Sequence, residues 1–125
     1  MARFVILEHS YQGVHWDFML DTGTALRTWR LDKPPEENCE IAAIALPDHR
    51  RTYLDYEGEV SGGRGHVVRW DAGEFEWLTD QPDFLSITIR GNRVRGWVRL
   101  TKSESDSWTL RLTPAAGASG QLAMS

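Results

Sequence analysis

A hydrophobic period of two, recurring in short runs broken by turn residues, is the feature that most restricts what this chain can become. The runs are Phe4–Glu8, Val14–Leu20, Ala25–Leu31, Ile41–Leu46, His66–Asp71, Glu74–Leu78, Leu85–Arg90, Arg93–Thr101 and Trp108–Leu112. Between them stand Asp21-Thr22-Gly23, Asp71-Ala72-Gly73, Gly91-Asn92 and Ser103–Ser107. Alternation of this kind puts apolar side chains on one face of a strand and polar ones on the other. Many short strands at close spacing predict an all-β, mainly antiparallel fold, a small closed β-barrel. Gly91-Asn92 predicts a two-residue hairpin turn. No stretch carries a helical period, which leaves room for one or two short helical turns, at Pro34–Asn38 or Gln81–Phe84.

With 125 residues the chain has the size of one domain. The predicted boundaries are 1–113 for the barrel and 114–125 for a flexible tail, because the end of the chain is rich in Ala, Gly and Ser and poor in large apolar residues. No apolar run reaches membrane-spanning length, and Met1-Ala2-Arg3-Phe4 lacks the apolar region of a signal peptide. The single cysteine, Cys39, excludes an internal disulfide and a cysteine-based zinc site; as a small apolar filler it fits a cytoplasmic protein. A net charge of −4 does not point to nucleic acid, although a local basic surface is compatible with it. Lys33–Asn38 reads as an exposed loop, and Ser61–Gly65 as a flexible glycine-rich loop that lacks the spacing of a nucleotide P-loop.

The chemistry-bearing stretch is His9–Leu20. Val14, Trp16, Phe18 and Leu20 share the face expected in the core, and His15, Asp17 and Met19 share the other. His9 ends the apolar run Phe4–Leu7 and returns to His15 through a short connection. Two imidazoles and a carboxylate form a facial ligand set that leaves other metal positions open, as a catalytic site requires. The same set serves non-haem iron oxygenases, although those enzymes normally take the second His from a distant strand. Asp48-His49, after a buried strand and four residues before Tyr53, places an imidazole and a phenol on one rim. Arg93, Arg95, Trp97 and Arg99 fall on one strand face, suited to phosphate and an unstacked base, or simply to solvent with the Arg stems over the indole. Trp29, Trp70, Trp77 and Trp108 are expected in the core or at its edges, and His66 at a strand start.

These residues resemble the 3′-phosphoesterase module of bacterial and archaeal DNA ligase D end-joining proteins. The family's opening strand, Phe-Val-x-x-x-His, is matched by Phe4–His9, and its His-aromatic-Asp-Phe-Arg-Leu-acidic element by His15–Asp21. Leu26–Trp29 with Lys33-Pro34-Pro35, Asp48–Gly58, Trp70–Glu76 and Gly91–Trp97 resemble its later elements in order. The resemblance implies a β-barrel that holds a divalent metal, most often Mn²⁺. It implies trimming of a 3′-terminal ribonucleoside and removal of the 3′-phosphate at DNA ends by a stand-alone domain that serves an end-joining ligase or polymerase. Nothing outside the motifs suggests a dimer surface, and a monomer is expected. It assigns His9, His15 and Asp17 to the metal, and His49 and Tyr53 to the phosphate; Lys33, Arg27, Arg51 and Arg64 are the candidate substrate contacts. Three departures stand out. Met19 occupies the position of a family Arg, which removes a bidentate phosphate contact. Pro47 stands where the family often has a carboxylate, and the loop after Gly58 is shortened. The alternative is therefore an end-binding accessory module on the same fold.

Overall fold

The computed structural model describes residues 2–115, and within them the chain is an antiparallel sheet of nine strands. The strands are β1 (Ala2–Ser10), β2 (Val14–Asp21), β3 (Leu26–Leu31), β4 (Glu40–His49), β5 (Gly58–Glu59), β6 (His66–Gln81), β7 (Phe84–Gly91), β8 (Arg95–Glu104) and β9 (Ser107–Pro114). Their order is β1-β2-β3-β4-β9-β8-β7-β6-β5, and pairing of β1 with β6 closes the sheet into a ring. The all-β antiparallel expectation is met. The only helical element among the described residues is a 3-10 turn, Arg51–Leu54, at neither expected position. Gln81–Phe84 is instead a tight turn between β6 and β7, and 34–38 is a loop that touches β9 through one bridge, Glu37 to Leu112. Pro114 ends β9 opposite Gly96; residues 116–125 of the expected tail lie outside the described residues.

Inward-facing residues of every long strand fill the ring: Phe4 and Ile6, Phe18 and Leu20, Trp29 and Leu31, Ile41, Phe75, Ile87, Val98 and Leu110 among them. Trp29 and Trp108 meet edge to face with centroids 5.7 Å apart. Trp70 and Trp77 pack on the edge of this core, and Val14, expected in it, is half exposed at the strand start.

A second, smaller core lies outside the ring. Val5 and Leu7 of β1, Met19 of β2, Leu26 and Val67 are roofed by Leu54 and Val60, with Tyr53 packed alongside. This explains the unbroken apolar run Phe4–Leu7: odd and even positions are buried against different cores. The roof is the segment 50–65. Arg51 pairs with Asp21 at 2.8 and 2.9 Å, Arg3 with Asp55 at 2.7 Å, and the Arg69 backbone N–H donates to Glu57 at 2.6 Å.

β6 merges two expected strands, so Asp71-Ala72-Gly73 is not a turn. Its first half pairs with β1, with a bulge at Trp70, and its second half with β7. Asp71 is buried and accepts hydrogen bonds from the backbone N–H groups of Ala72, Asn92, Arg93 and Val94 at 2.8 to 3.0 Å. That carboxylate builds the β7–β8 turn and shifts it by one residue: Gly91 N–H bonds Val94 carbonyl, and Asn92-Arg93 form the tip. Gly73 is required by close packing, since a Cβ there would overlap the Arg90 carbonyl. Arg93 thus leaves the expected Arg/Trp face and lies over Trp70 at 4.7 Å, while Arg95, Trp97 and Arg99 face outward on β8.

Two outcomes follow for solution work. Asp71→Ala leaves buried donors without acceptors and is expected to cost about 3 kcal/mol in denaturant unfolding, with Asp71→Asn costing less. The Asp21 and Asp55 carboxyls are held below their ordinary pKa chiefly by the hydrogen bonds from Arg51 and Arg3. Their contribution is complete above the usual carboxylate range and is lost as pH falls through the depressed values. Hydrogen exchange at low pH should therefore expose the amides of Tyr53 and Asp55 before those of the ring; simultaneous exposure would refute this.

Candidate metal centre

The hairpin of β1 and β2 brings the three expected metal ligands together. Its turn, Ser10 to Gly13, is closed by Tyr11 N–H on the Gly13 carbonyl, with Gln12 and Gly13 at positive φ of 54° and 111°. The register then sets His9 directly opposite His15 and Leu7 opposite Asp17. Directly opposed residues on one face stand about 5 Å apart at Cβ, and diagonal neighbours remain within reach. All three side chains point outward from the ring, beyond the second core at the end that Leu7 closes.

One donor atom from each of His9, His15 and Asp17 lies within 4.8 Å of the others. His15 Nε2 is 3.1 Å from His9 Nδ1 and 3.8 Å from Asp17 Oδ1, and His9 Nδ1 is 3.4 Å from Asp17 Oδ2. His9 Nε2 donates to the Arg64 carbonyl at 2.8 Å, which fixes the tautomer and leaves Nδ1 with its lone pair toward the cluster. Asp17 is 4% exposed, and its Oδ1 has no hydrogen-bond partner. An orphaned buried carboxylate oxygen facing two imidazole nitrogens is costly by itself, and the donor set fits a divalent cation. The basicity of His15 is lowered, first by burial and further by His9 and Arg30, against the opposing effect of Asp17. A neutral imidazole is the form that ligates metal.

The glycine-rich loop supplies the Arg64 carbonyl. Gly65 has φ of 76°, and a Cβ there would overlap the Ser10 carbonyl, so only glycine lets the loop lie against the end of β1. Val60 N–H closes the loop on the Gly65 carbonyl at 2.8 Å.

His49 lies within β4, not past its end. Between Thr28↔Leu46 and Leu26↔His49 the register slips, so Pro47 and Asp48 form a bulge. Pro47 has no N–H to give the ladder, and its carbonyl instead accepts from His49 Nδ1 at 2.9 Å. The His49 and Tyr53 rings meet edge to face at 5.8 Å, the Tyr53 backbone being held in the 3-10 turn. Among the described residues no hydrogen bond joins this pair to the metal-ligand set.

The other expected contacts are dispersed. Arg27 shares the inward face of β3, lies over Trp29 and Trp77 and pairs with Asp80 at 3.2 Å. Arg51 is engaged by Asp21, the Arg64 side chain bonds Ser61, and Lys33 is 3.9 Å from Glu36 in an exposed loop. The pocket over the ligands, about 250 Å³, is lined by His9, Tyr11, His15, Asp17, Arg30 and Leu46, together with Gln12. Tyr11 stacks on His9 at 6.1 Å. Sequence reasoning missed Arg30 and Tyr11; alternation from Thr28 was the available signal for Arg30, which pairs with Asp17 in the register. A larger cleft, about 600 Å³, opens on the outer face between β6, β7 and β8, and Glu74, Glu76, Arg90 and Arg95 on its walls mix both charges.

Residues 7–102 match the family model described as the DNA Ligase D 3′-phosphoesterase domain. The multifunctional non-homologous end joining protein LigD of Mycobacterium bovis is 30% identical over 114 residues, which covers 84% of this chain and 15% of that protein. The LigD proteins of Mycolicibacterium smegmatis and Pseudomonas aeruginosa are 29% and 27% identical, over 85% and 77% of this chain. The chain thus spans only 13–16% of the length of these curated relatives, about one-seventh.

Gly65→Ala is expected to displace the Arg64 carbonyl from His9 and weaken Mn²⁺ binding by roughly 10-fold or more, read by titration calorimetry. An unchanged affinity would show that the carbonyl does not orient His9.

Proposed function

The chain belongs to the DNA ligase D 3′-phosphoesterase family, and from that premise we propose that it is a divalent-metal-dependent phosphoesterase of DNA 3′ ends. The proposed reactions are removal of a 3′-terminal ribonucleoside and of a 3′-phosphate, in non-homologous end joining. The observation that carries this reading is the convergence of His9, His15 and Asp17 around an unpartnered, buried Asp17 Oδ1. No helix among the described residues is long and apolar enough to cross a membrane. A cytoplasmic monomer acting beside an end-joining ligase or polymerase completes the proposal.

His9, His15 and Asp17 would hold the metal, and mixed nitrogen and oxygen donors suit Mn²⁺. The cation would supply Lewis acidity to a non-bridging phosphoryl oxygen. Burial disfavours protonation of His15, which favours ligation, and the Arg64 carbonyl holds His9 in the tautomer that presents Nδ1. In its imidazolium form His49, with Nδ1 donating to the Pro47 carbonyl, would donate from Nε2 to the phosphoryl group or its leaving oxygen, and Tyr53 would offer a neutral hydrogen bond. Family membership favours phosphoryl chemistry over the oxygenase alternative.

A second reading, end binding without turnover, is favoured by one observation. Met19 is 1% exposed inside the second core and contributes no charge to the pocket. A labelled primer–template carrying a 3′-ribonucleotide or a 3′-phosphate separates the two readings. Conversion to a 3′-hydroxyl is expected with Mn²⁺, to stop with EDTA, and to fall more than about 100-fold in His15→Ala. Metal-loaded protein that binds these ends without converting either would establish the accessory module instead.

A further inference from the structure

A pocket built from two imidazoles and one carboxylate has no permanently charged cationic side chain of its own unless a neighbouring strand supplies one. The arginines nearest in sequence or fold are committed elsewhere. Arg51 is tied to Asp21, Arg27 to Asp80 and two indoles, and the Arg64 guanidinium to the carbonyl and hydroxyl of Ser61. Arg50, beside His49, is also without a side-chain partner among the described residues but lines a different pocket, with Tyr53 and Tyr56; Arg30 is the uncommitted arginine that lines this one. It stands directly opposite Asp17 in the β2–β3 register, on the outward face of β3, and lines the pocket with His9 and His15. It is exposed, and among the described residues it makes no ion pair or side-chain hydrogen bond.

We infer that Arg30 is the guanidinium that grips the terminal phosphoryl group of a bound 3′ end and sets the preference for a 3′-phosphate. The inference rests on the phosphoesterase reading of this site for the identity of the ligand. A guanidinium presents two parallel N–H donors to two phosphoryl oxygens, and a terminal phosphate offers three unbridged oxygens with a charge near −2. A 3′-hydroxyl offers neither. Its side chain begins opposite Asp17, whose carboxylate belongs to the ligand cluster, and lines the same pocket. Leu46, two strands from β2 and next to the Pro47 bulge, forms the apolar wall on the other side of Arg30.

The test measures binding and does not need turnover. Mn²⁺-loaded protein is titrated with a fluorescent oligonucleotide ending in a 3′-phosphate or a 3′-hydroxyl, for the native chain, Arg30→Ala and Arg30→Lys. Mn²⁺ affinity and unfolding are recorded for each. The native chain is expected to prefer the 3′-phosphate by about tenfold or more. Arg30→Ala is expected to lose that preference with Mn²⁺ affinity no weaker and stability unchanged, and Arg30→Lys to regain part of it, since an ammonium keeps the charge without the fork. Equal preference in the native chain and Arg30→Ala overturns the inference, as does no preference in the native chain. A change confined to Mn²⁺ affinity or stability also overturns it, because Arg30 would then only balance Asp17. An Arg30-dependent preference without hydrolysis in Mn²⁺ leaves this inference standing while the phosphoesterase reading fails.

Discussion

Burial of β1 on both faces is the constraint on which the rest of the structure depends. Phe4 and Ile6 face the interior of the ring, and Val5 and Leu7 face the small outer core; all four are at most 1% exposed. Only a strand paired on both edges and covered on both faces can carry four such residues in a row. Its pairing with β2 and β6 closes the ring, and the roof of Leu54 and Val60 covers what would otherwise be an exposed apolar stripe. Where the outer core ends, at Leu7, the same face continues into His9. The candidate metal centre is therefore the polar margin of a hydrophobic contact, held by the rigidity of that contact.

This placement shapes the chemistry. The margin is dry enough to disfavour protonation of His15 and to bury Asp17, yet open enough for Arg30, Tyr11 and Gln12 to border a pocket. It also accounts for Met19. One step further along β2 than Asp17 on that face, the side chain is already inside the outer core, opposite Val5 and Thr28. An arginine there would need a buried counter-charge, and Pro47, near the same level of β4, supplies none. The absence of charge at both positions is self-consistent, since an unpaired guanidinium among Val5, Leu7 and Leu26 would cost several kcal/mol by order of magnitude. The roof has a second effect, because its glycine-rich end delivers the Arg64 carbonyl that orients His9.

The strands were largely legible because alternation is a local signal, and nearly every run found in the sequence is a strand of the ring. The misreadings fall where a distant partner changed the meaning of a local motif. Asp71-Ala72-Gly73 has turn composition, but Asp71 serves as acceptor for a turn some twenty residues later, and Gly73 is small because the Arg90 backbone lies against it. The helical turn went unrecognised because Arg51–Leu54 is too short to show a period; Leu54 alone is buried, and the turn is fixed by Asp21 and the outer core.

By itself, the sequence determined the all-β class and the placement of His15, Asp17 and Met19 on one strand face, with His9 close enough to join them. Side-chain direction in a strand follows from a period of two and needs no partner. Only the tertiary structure decided what that face meets. It set His9 opposite His15, sank Met19 into a second core, turned Arg27 inward and brought Arg30 to the pocket. Register, bulges and roofing segments are set by pairings between residues far apart in the chain, and a one-residue slip reverses every face. Local composition carries no record of that choice.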